Sequence, residues 1–249
     1  MKVFDIYAQY YNLLYADKDY EVEVDYIFSL AQKFCQMPNS LLDIGCGTGK
    51  HAGLLQKKGI SRVDGVDMSE GMLATAKMNF PEIGFFQGDA RNFRLNKQYD
   101  VITSLFHVAS YQSGNDDLIN YLKTAKEHLG KDGIFIFDCW YGPSVLSNKP
   151  AVRVKRLENE SIKVVRLAEP TMQANDNTVI VNYELIITDK ASCKTTVINE
   201  SHKMRYLFKP EIEYFMKEAG MELVGFEEWM TGVEPGFDSW TAIFVGRVI

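Results

Sequence analysis

The chain has 249 residues, 46% hydrophobic and 24% charged, enough for a sizeable buried core in one large domain or a core with an elaboration. Its formal net charge of -6 argues against a general nucleic-acid binder, which needs a basic surface to neutralise phosphates. Cys35, Cys46, Cys139 and Cys193 are far apart and form no CxxC pair, which speaks against a zinc site or a disulfide framework and for a reducing compartment.

No charged n-region leads into an apolar h-region at the N-terminus, and no apolar run is long enough to cross a bilayer, so a cytoplasmic enzyme without membrane or metal is expected. Tyr7, Tyr10, Tyr11, Tyr15 and Tyr20 crowd the first 20 residues. Tyr7, Tyr11 and Leu14 share a helical face, which suits an amphipathic helix docking on the core or a lid whose hydroxyls line a ligand. Helical spacing returns over residues 21–36 at Val24, Ile27, Phe28, Ala31, Phe34 and Cys35, until Pro38-Asn39 stops it.

The run Leu41-Leu42-Asp43-Ile44 then predicts a buried parallel strand, followed by the three-glycine turn Gly45-Cys46-Gly47-Thr48-Gly49 and a helix over 51–58. Residues 62–67 predict a second strand ending in Asp67, with Ser69 as N-cap of a helix through Met72, Leu73 and Ala76. Further strands are expected over 83–87, 99–105 and 133–138. Between the last two, a helix from about residue 116 carries Leu118, Leu122, Ala125 and Leu129 on one face, with Gly130 as its C-terminal glycine. Strands alternating with helices predict a parallel α/β sheet with right-handed crossovers.

From 151 to 206 the period changes to two, with Val179, Val181, Tyr183, Leu185 and Ile187 alternating, which predicts a small inserted antiparallel sheet. Lys209-Pro210 opens a helix ending at Gly220, and strands over 222–228 and 240–247 close the sheet as an antiparallel pair. The expected organisation is a core of 1–139 and 207–249, with 1–37 a helical lid, and an inserted β subdomain over 140–206 covering the acceptor.

The glycine turn is a nucleotide-type corner, but of a restricted kind. Lys50 occupies the sixth position of GxGxxG, where a dinucleotide fingerprint needs glycine, and Gly49-Lys50-His51 is not the GKS or GKT of a phosphate loop. Asp67 suits hydrogen bonding to a ribose diol. An acid on a ribose without a phosphate cradle points to a nucleoside.

Asp43-x-Gly45-x-Gly47-Thr48-Gly49, Asp67, Gly88-Asp89-Ala90 and the Asp100 strand resemble, in order and spacing, the successive motifs of class I S-adenosylmethionine-dependent methyltransferases over roughly residues 40–140. The resemblance implies a Rossmann-like seven-stranded sheet with helices on both faces. It implies S-adenosylmethionine as cofactor and S-adenosylhomocysteine as product. Gly45, Gly47 and their backbone would face the methionine part and ribose, with Asp43 holding the turn and Tyr20 beside the cofactor. Asp67 would hold the ribose hydroxyls, Met68 would pack on adenine, Asp89 would bond the adenine amino group beside Ala90, and Leu105 and Phe106 would lie near the sulfonium.

The tyrosine-rich start with Lys18-Asp19-Tyr20, and Phe137-Asp138-Cys139-Trp140-Tyr141-Gly142-Pro143 before the inserted sheet, resemble methyltransferases that N-methylate nucleotide-linked deoxyamino sugars. In that group a histidine after the fourth strand lies near the amine. Here that place falls nearer Tyr111 than His107, so Tyr11, His107 and Tyr111 are the candidates to orient or deprotonate an amine. Segment 151–206 holds nine Lys and Arg against seven Asp and Glu. Arg153 and Arg205 are candidates for an anionic acceptor, since guanidinium forks suit a diphosphate. Tyr11, Tyr15, Trp140 and Tyr141 are candidates for stacking on its sugar or base. An O-methyltransferase on a small metabolite or glycan, and a non-catalytic cofactor-binding module, are the alternatives. The inserted sheet is equally suited to cover the acceptor or to pair with a second subunit as a homodimer.

Overall fold

The computed structural model describes residues 13–14 and 18–249. Tyr11 and Tyr15 therefore lie outside the described residues. Helix α1 (Tyr20–Phe34) starts where the Asp19 carboxylate accepts from the Val22 N–H, and it buries Val24, Ile27, Leu30 and Ala31 at helical spacing. Strands β1 (Ser40–Ile44), β2 (Arg62–Asp67) and β3 (Gly84–Gln87) alternate with α2 (Lys50–Lys57) and α3 (Glu70–Asn79). Ser69 caps α3 through its hydroxyl, as its position predicts.

Strand β4 (Tyr99–Ser104) leads through a short 3-10 turn (Val108–Tyr111) into α4 (Asn115–His128), then β5 (Leu129–Tyr141) and α5 (Gly142–Ser147). Gly130 is not the helix-ending glycine expected of it. Leu129 leaves α4 already extended, at φ -82° and ψ 136°, and Gly130 is the second residue of β5. The chain continues forward instead of reversing, so no left-handed residue is required.

Four antiparallel strands follow: β6 (Arg153–Glu158), β7 (Ile162–Gln173), β8 (Thr178–Asp189) and β9 (Thr195–Leu207). Strand β6 escapes the sequence reading because it is an edge strand exposed or half-exposed along its length, so no apolar alternation marks it. Helix α6 (Lys209–Glu218) ends at Gly220 with φ 77°, and β10 (Met221–Glu228) and β11 (Thr241–Val248) complete the chain.

The parallel strands run β3-β2-β1-β4-β5, and β11 joins β5 antiparallel with β10 outside it, which makes the seven-stranded order. The inserted strands are not a detached sheet. Trp140 and Tyr141, at the end of β5, pair in parallel with Tyr206 and Leu207 of β9, so the meander grows from the same edge.

Alternation through the central strands sends side chains to two cores. Leu42, Ile102, Phe135, Phe137 and Phe244 meet Leu118 and Tyr121 of α4 and Met216 of α6 on one face. Leu41, Val101, Ile134, Ile136 and Ile243 meet Ile27 of α1, Leu55 of α2 and Leu73 of α3 on the other. The C-terminal ends of β1, β2 and β4 consequently share one rim, where open α/β sheets hold ligands.

Candidate active site

At that rim the β1–α2 turn is shaped by left-handed glycines, with φ of 75° at Gly45 and 53° at Gly47. The Gly45 and Cys46 N–H groups both donate to the Val66 carbonyl, which ties the turn to β2. A Cβ on Gly45 would sit 2.4 Å from Cγ2 of Val108, so the turn is packed directly under the 3-10 turn after β4. A Cβ on Gly47 would meet no atom of the described residues within 4 Å. Gly47 instead borders a cavity of 330 Å³, and its missing side chain leaves room there for a ligand.

Three acids line this cavity. Asp67, at the end of β2, accepts the Gly47 N–H on one oxygen and the Ser69 N–H on the other, both at 2.8 Å. Burial pushes its carboxyl up, and the Ser69, Gly47 and Met68 backbone donors partly offset that. A carboxylate offers about four acceptor sites, so capacity remains for a diol. Asp43 is 2% exposed and accepts from the Thr103 hydroxyl at 3.0 Å. Burial raises its carboxyl to about 6. Asp89 is held low by Arg91, which grips it through Nε at 2.9 Å and reaches on to Asp117 at 2.8 Å. That clamp was missed in the sequence, although Asp89-Ala90-Arg91 spells it locally.

Tyr20, Gly45, Met68, Ala90, Leu105 and Phe106 line the same cavity, so the structure brings the predicted cofactor set together. His51 lies 5.1 Å from the Tyr20 ring and bonds Glu23 at 2.9 Å, and Glu23 in turn meets Lys18 at 3.0 Å. Leu105 and Phe106 also wall a second cavity of 360 Å³ with Lys18, His107, Asp138 and Lys155. Phe106 and His107 both hold positive φ, 68° and 67°, a conformation uncommon outside glycine. The buried Asp138 carboxylate fixes this bend by accepting the His107 N–H at 2.9 Å, and its other oxygen lies 2.8 Å from His107 Nδ1. His107 thus opens on the second cavity.

Tyr111 lines the first cavity, and its hydroxyl is 2.7 Å from Nδ1 of His202 on β9. His202 and Tyr183 of β8 also line that cavity, so the inserted meander supplies one of its walls. Sequence reading missed both, since nothing local relates a strand histidine to a tyrosine in a distant turn.

Four substrate candidates fare differently. Trp140 borders His107, with ring centres 6.4 Å apart, and packs edge-on against Trp240. Tyr141 is one residue on, and strand alternation turns its ring into the core against Phe226, away from the predicted stacking role. Arg205 is 6% exposed and committed to Glu211 and to Asn115 at 2.8 Å, so it is a buried structural cation and borders neither cavity. Arg153 is exposed at the start of the edge strand β6 and also borders neither cavity.

A 3-2-1-4-5 parallel sheet closed by an antiparallel pair, with a glycine turn and acids around a nucleoside-sized cavity, is the fold of S-adenosylmethionine-dependent methyltransferases. Residues 41–133 match the family model for a methyltransferase domain. The chain is 25% identical over 242 residues to dTDP-3-amino-3,4,6-trideoxy-alpha-D-glucopyranose N,N-dimethyltransferase of Streptomyces venezuelae, covering 96% of this chain and 97% of that one. It is 26% identical to dTDP-3-amino-3,6-dideoxy-alpha-D-glucopyranose N,N-dimethyltransferase of Streptomyces fradiae, covering 96% and 89%. The crystal structure of an S-adenosylmethionine-dependent methyltransferase from Clostridium acetobutylicum ATCC 824 shares the fold over 99% of both chains, with a TM-score of 0.82 at 21% identity.

Proposed function

We propose that the enzyme N-methylates, in one or two rounds, the amino group of a nucleotide-linked deoxyamino sugar. The supporting observation is the extent of the match to the two sugar N,N-dimethyltransferases. It covers 96% of the chain and so takes in the inserted meander, whose Tyr183 and His202 border the cofactor cavity. Core and meander are treated as two parts with divided labour, residues 1–139 and 207–249 for the donor and 140–206 for the acceptor.

In this reading Gly45, Gly47 and Asp43 receive the methionine end of the donor, Asp67 the ribose diol, and Met68, Asp89 and Ala90 the adenine. Bound S-adenosylmethionine supplies a methyl group on a sulfonium. That methyl would be open to the acceptor nitrogen's lone pair, with the carbon–sulfur electrons left on sulfur. Little more is asked of the protein than to hold the nitrogen in line with the methyl in a dry pocket, with the amine unprotonated. Leu105 and Phe106, which wall both cavities, exclude water there. Tyr111 and His107 are the described polar groups placed to meet the amine, one in each cavity. Lys18, paired with Glu23, and Lys155, which donates to the Leu14 carbonyl, border the second cavity and are this reading's candidates for acceptor phosphates.

Incubation with S-adenosylmethionine and a dTDP- or UDP-aminohexose is expected to add mono- and dimethyl mass increments. Turnover of a hydroxyl-only analogue with the amine left untouched overturns the reading in favour of O-methylation. Asp67→Ala is expected to weaken donor binding at least about tenfold by calorimetry, the cost of a buried charged hydrogen bond. Unchanged affinity removes Asp67 from the ribose.

A further inference from the structure

We propose that Arg91 is a positioning residue for the methyl donor: by clamping Asp89 it aims one carboxylate oxygen at the amino group of the donor's purine and makes binding selective for a 6-aminopurine. The proposal rests on the donor reading above, in which Asp89 meets the adenine amino group. It adds what holds Asp89 there and what that holding selects.

Asp89 follows β3 and borders the first cavity together with Arg91. Its backbone is fixed on both sides. The Gly88 N–H donates to the Asp67 carbonyl at 3.0 Å, which ties this stretch to the end of β2. The Asn92 and Phe93 N–H groups both donate to the Asp89 carbonyl, also at 3.0 Å.

The side chain is gripped next. Asp89 Oδ1 accepts the Arg91 backbone N–H at 3.0 Å and the Nε–H at 2.9 Å, and Oδ2 accepts from Nη2 at 2.5 Å. A planar guanidinium holding both oxygens fixes the plane of a carboxylate, which a single ammonium contact does not. Among the described residues Arg91 supplies all three of these bonds, so of about four acceptor sites one is left, on Oδ2. The same grip holds the Asp89 carboxyl below its ordinary range and so keeps it an acceptor.

Arg91 is itself anchored at two points on α4. Its Nη1 donates to Asp117 Oδ1 at 2.8 Å, and Asp117 Oδ2 accepts the Gly114 N–H at the start of the helix. Further along α4, the hydroxyl of the buried Thr124 donates to the Arg91 carbonyl at 2.7 Å. The side chains of Asp89, Arg91 and Asp117 are 25%, 38% and 35% exposed, too open for these ion pairs to contribute much stability. What they contribute is direction.

That direction has a chemical consequence. An exocyclic amino group donates, and the open site on Oδ2 accepts. A 6-oxopurine places a carbonyl there, acceptor against acceptor, and carries its donor on the neighbouring ring nitrogen instead. A carboxylate free to rotate follows that N–H, whereas a clamped one is held off it. The clamp thus turns one hydrogen bond into a selection between bases.

The test measures two Kd values by calorimetry on each full-length variant, for S-adenosylhomocysteine and for S-inosylhomocysteine, its 6-oxopurine analogue. Their ratio, taken on one preparation, cancels any loss of folded protein, so a merely structural role leaves it unmoved. The unmodified enzyme is expected to favour the aminopurine at least about tenfold, the cost of losing a hydrogen bond to a charged acceptor. Arg91→Met is expected to lose most of that preference. Arg91→Lys, which keeps the charge without the fork, is expected to lose it as well. Full preference in either variant, or none in the unmodified enzyme, overturns the clamp. Asp89→Asn, whose amide can donate to a carbonyl, is expected to abolish or reverse the preference. An unchanged ratio in Asp89→Asn takes Asp89 off the base and defeats the donor reading, and the proposal with it. A changed ratio in Asp89→Asn beside an unchanged one in Arg91→Met defeats the clamp alone.

Discussion

The Asp43 carboxyl, raised to about 6 by burial, sits above its unfolded value. A group shifted this way contributes its full stability below the ordinary carboxylate range and loses it as pH rises through the folded value. Asp43→Asn, neutral at every pH, is therefore expected to gain on the unliganded parent in melting temperature between about pH 4 and pH 7, by up to roughly 2–3 kcal/mol at 1.36 per unit. A gap that stays constant across that window sinks the assignment. The same variant is expected to bind the cationic donor more weakly above pH 6. At Gly45 two costs are separable. Gly45→Ala is expected to lose about 1–2 kcal/mol from its left-handed φ, plus a clash with Val108. Adding Val108→Ala should recover only the clash, so complete recovery in chemical denaturation refutes the backbone part. The positions of these residues at the rim were legible in sequence because each belongs to a turn or strand that a few neighbours define. The Arg91 clamp on Asp89 was equally local and went unread, because an arginine two residues on carries no periodic signal.

Elements place residues that no local pattern locates. Arg205, expected at an acceptor phosphate, instead joins β9 to α6 through Glu211. Removing one partner of a buried pair strands the other charge, so Arg205→Met is expected to destabilise by about 3–5 kcal/mol, and Arg205→Met with Glu211→Leu to regain most of that. An increased KM with unchanged urea unfolding would return Arg205 to the acceptor. Tyr141 makes the same point by alternation. It and Trp140 were read as a pair of stacking rings, but adjacent strand residues face opposite sides, and only Trp140 borders His107. Strand β6 shows the converse, since an exposed edge strand leaves no buried alternation to read.

At the scale of the whole molecule, the meander and the parallel sheet are joined where β5 pairs with both β11 and β9. Among the described residues no helix is long and apolar enough to cross a membrane, and no cluster of His, Cys, Asp and Glu could hold a metal ion. The four thiols, none in a disulfide, report on the integrity of the assembly. Cys193 is exposed between β8 and β9 and is expected to react with a thiol reagent at once, with the half-buried Cys35 slower. Cys46 and Cys139 lie in the two cores, where burial pushes both thiols well up. Cys139 is expected to label only on global unfolding, and Cys46, which borders the first cavity, before it. Early labelling of Cys139 alone would show that the edge shared with the meander opens by itself.

By itself the sequence determined the sheet, the glycine turn and the methyl donor. Period, turn chemistry and motif spacing act over a few residues, and the successive motifs fall on consecutive strand ends. The tertiary structure alone decided that Tyr111 meets His202, that Tyr141 turns inward and that Arg205 is spent on Glu211. Those outcomes depend on strand register and on contacts between segments up to 91 residues apart, which no local pattern encodes. The corner with Asp43, Asp67 and Asp89 around one cavity was thus readable in the chain, whereas the wall that Tyr183 and His202 give that cavity exists only once the meander folds against it.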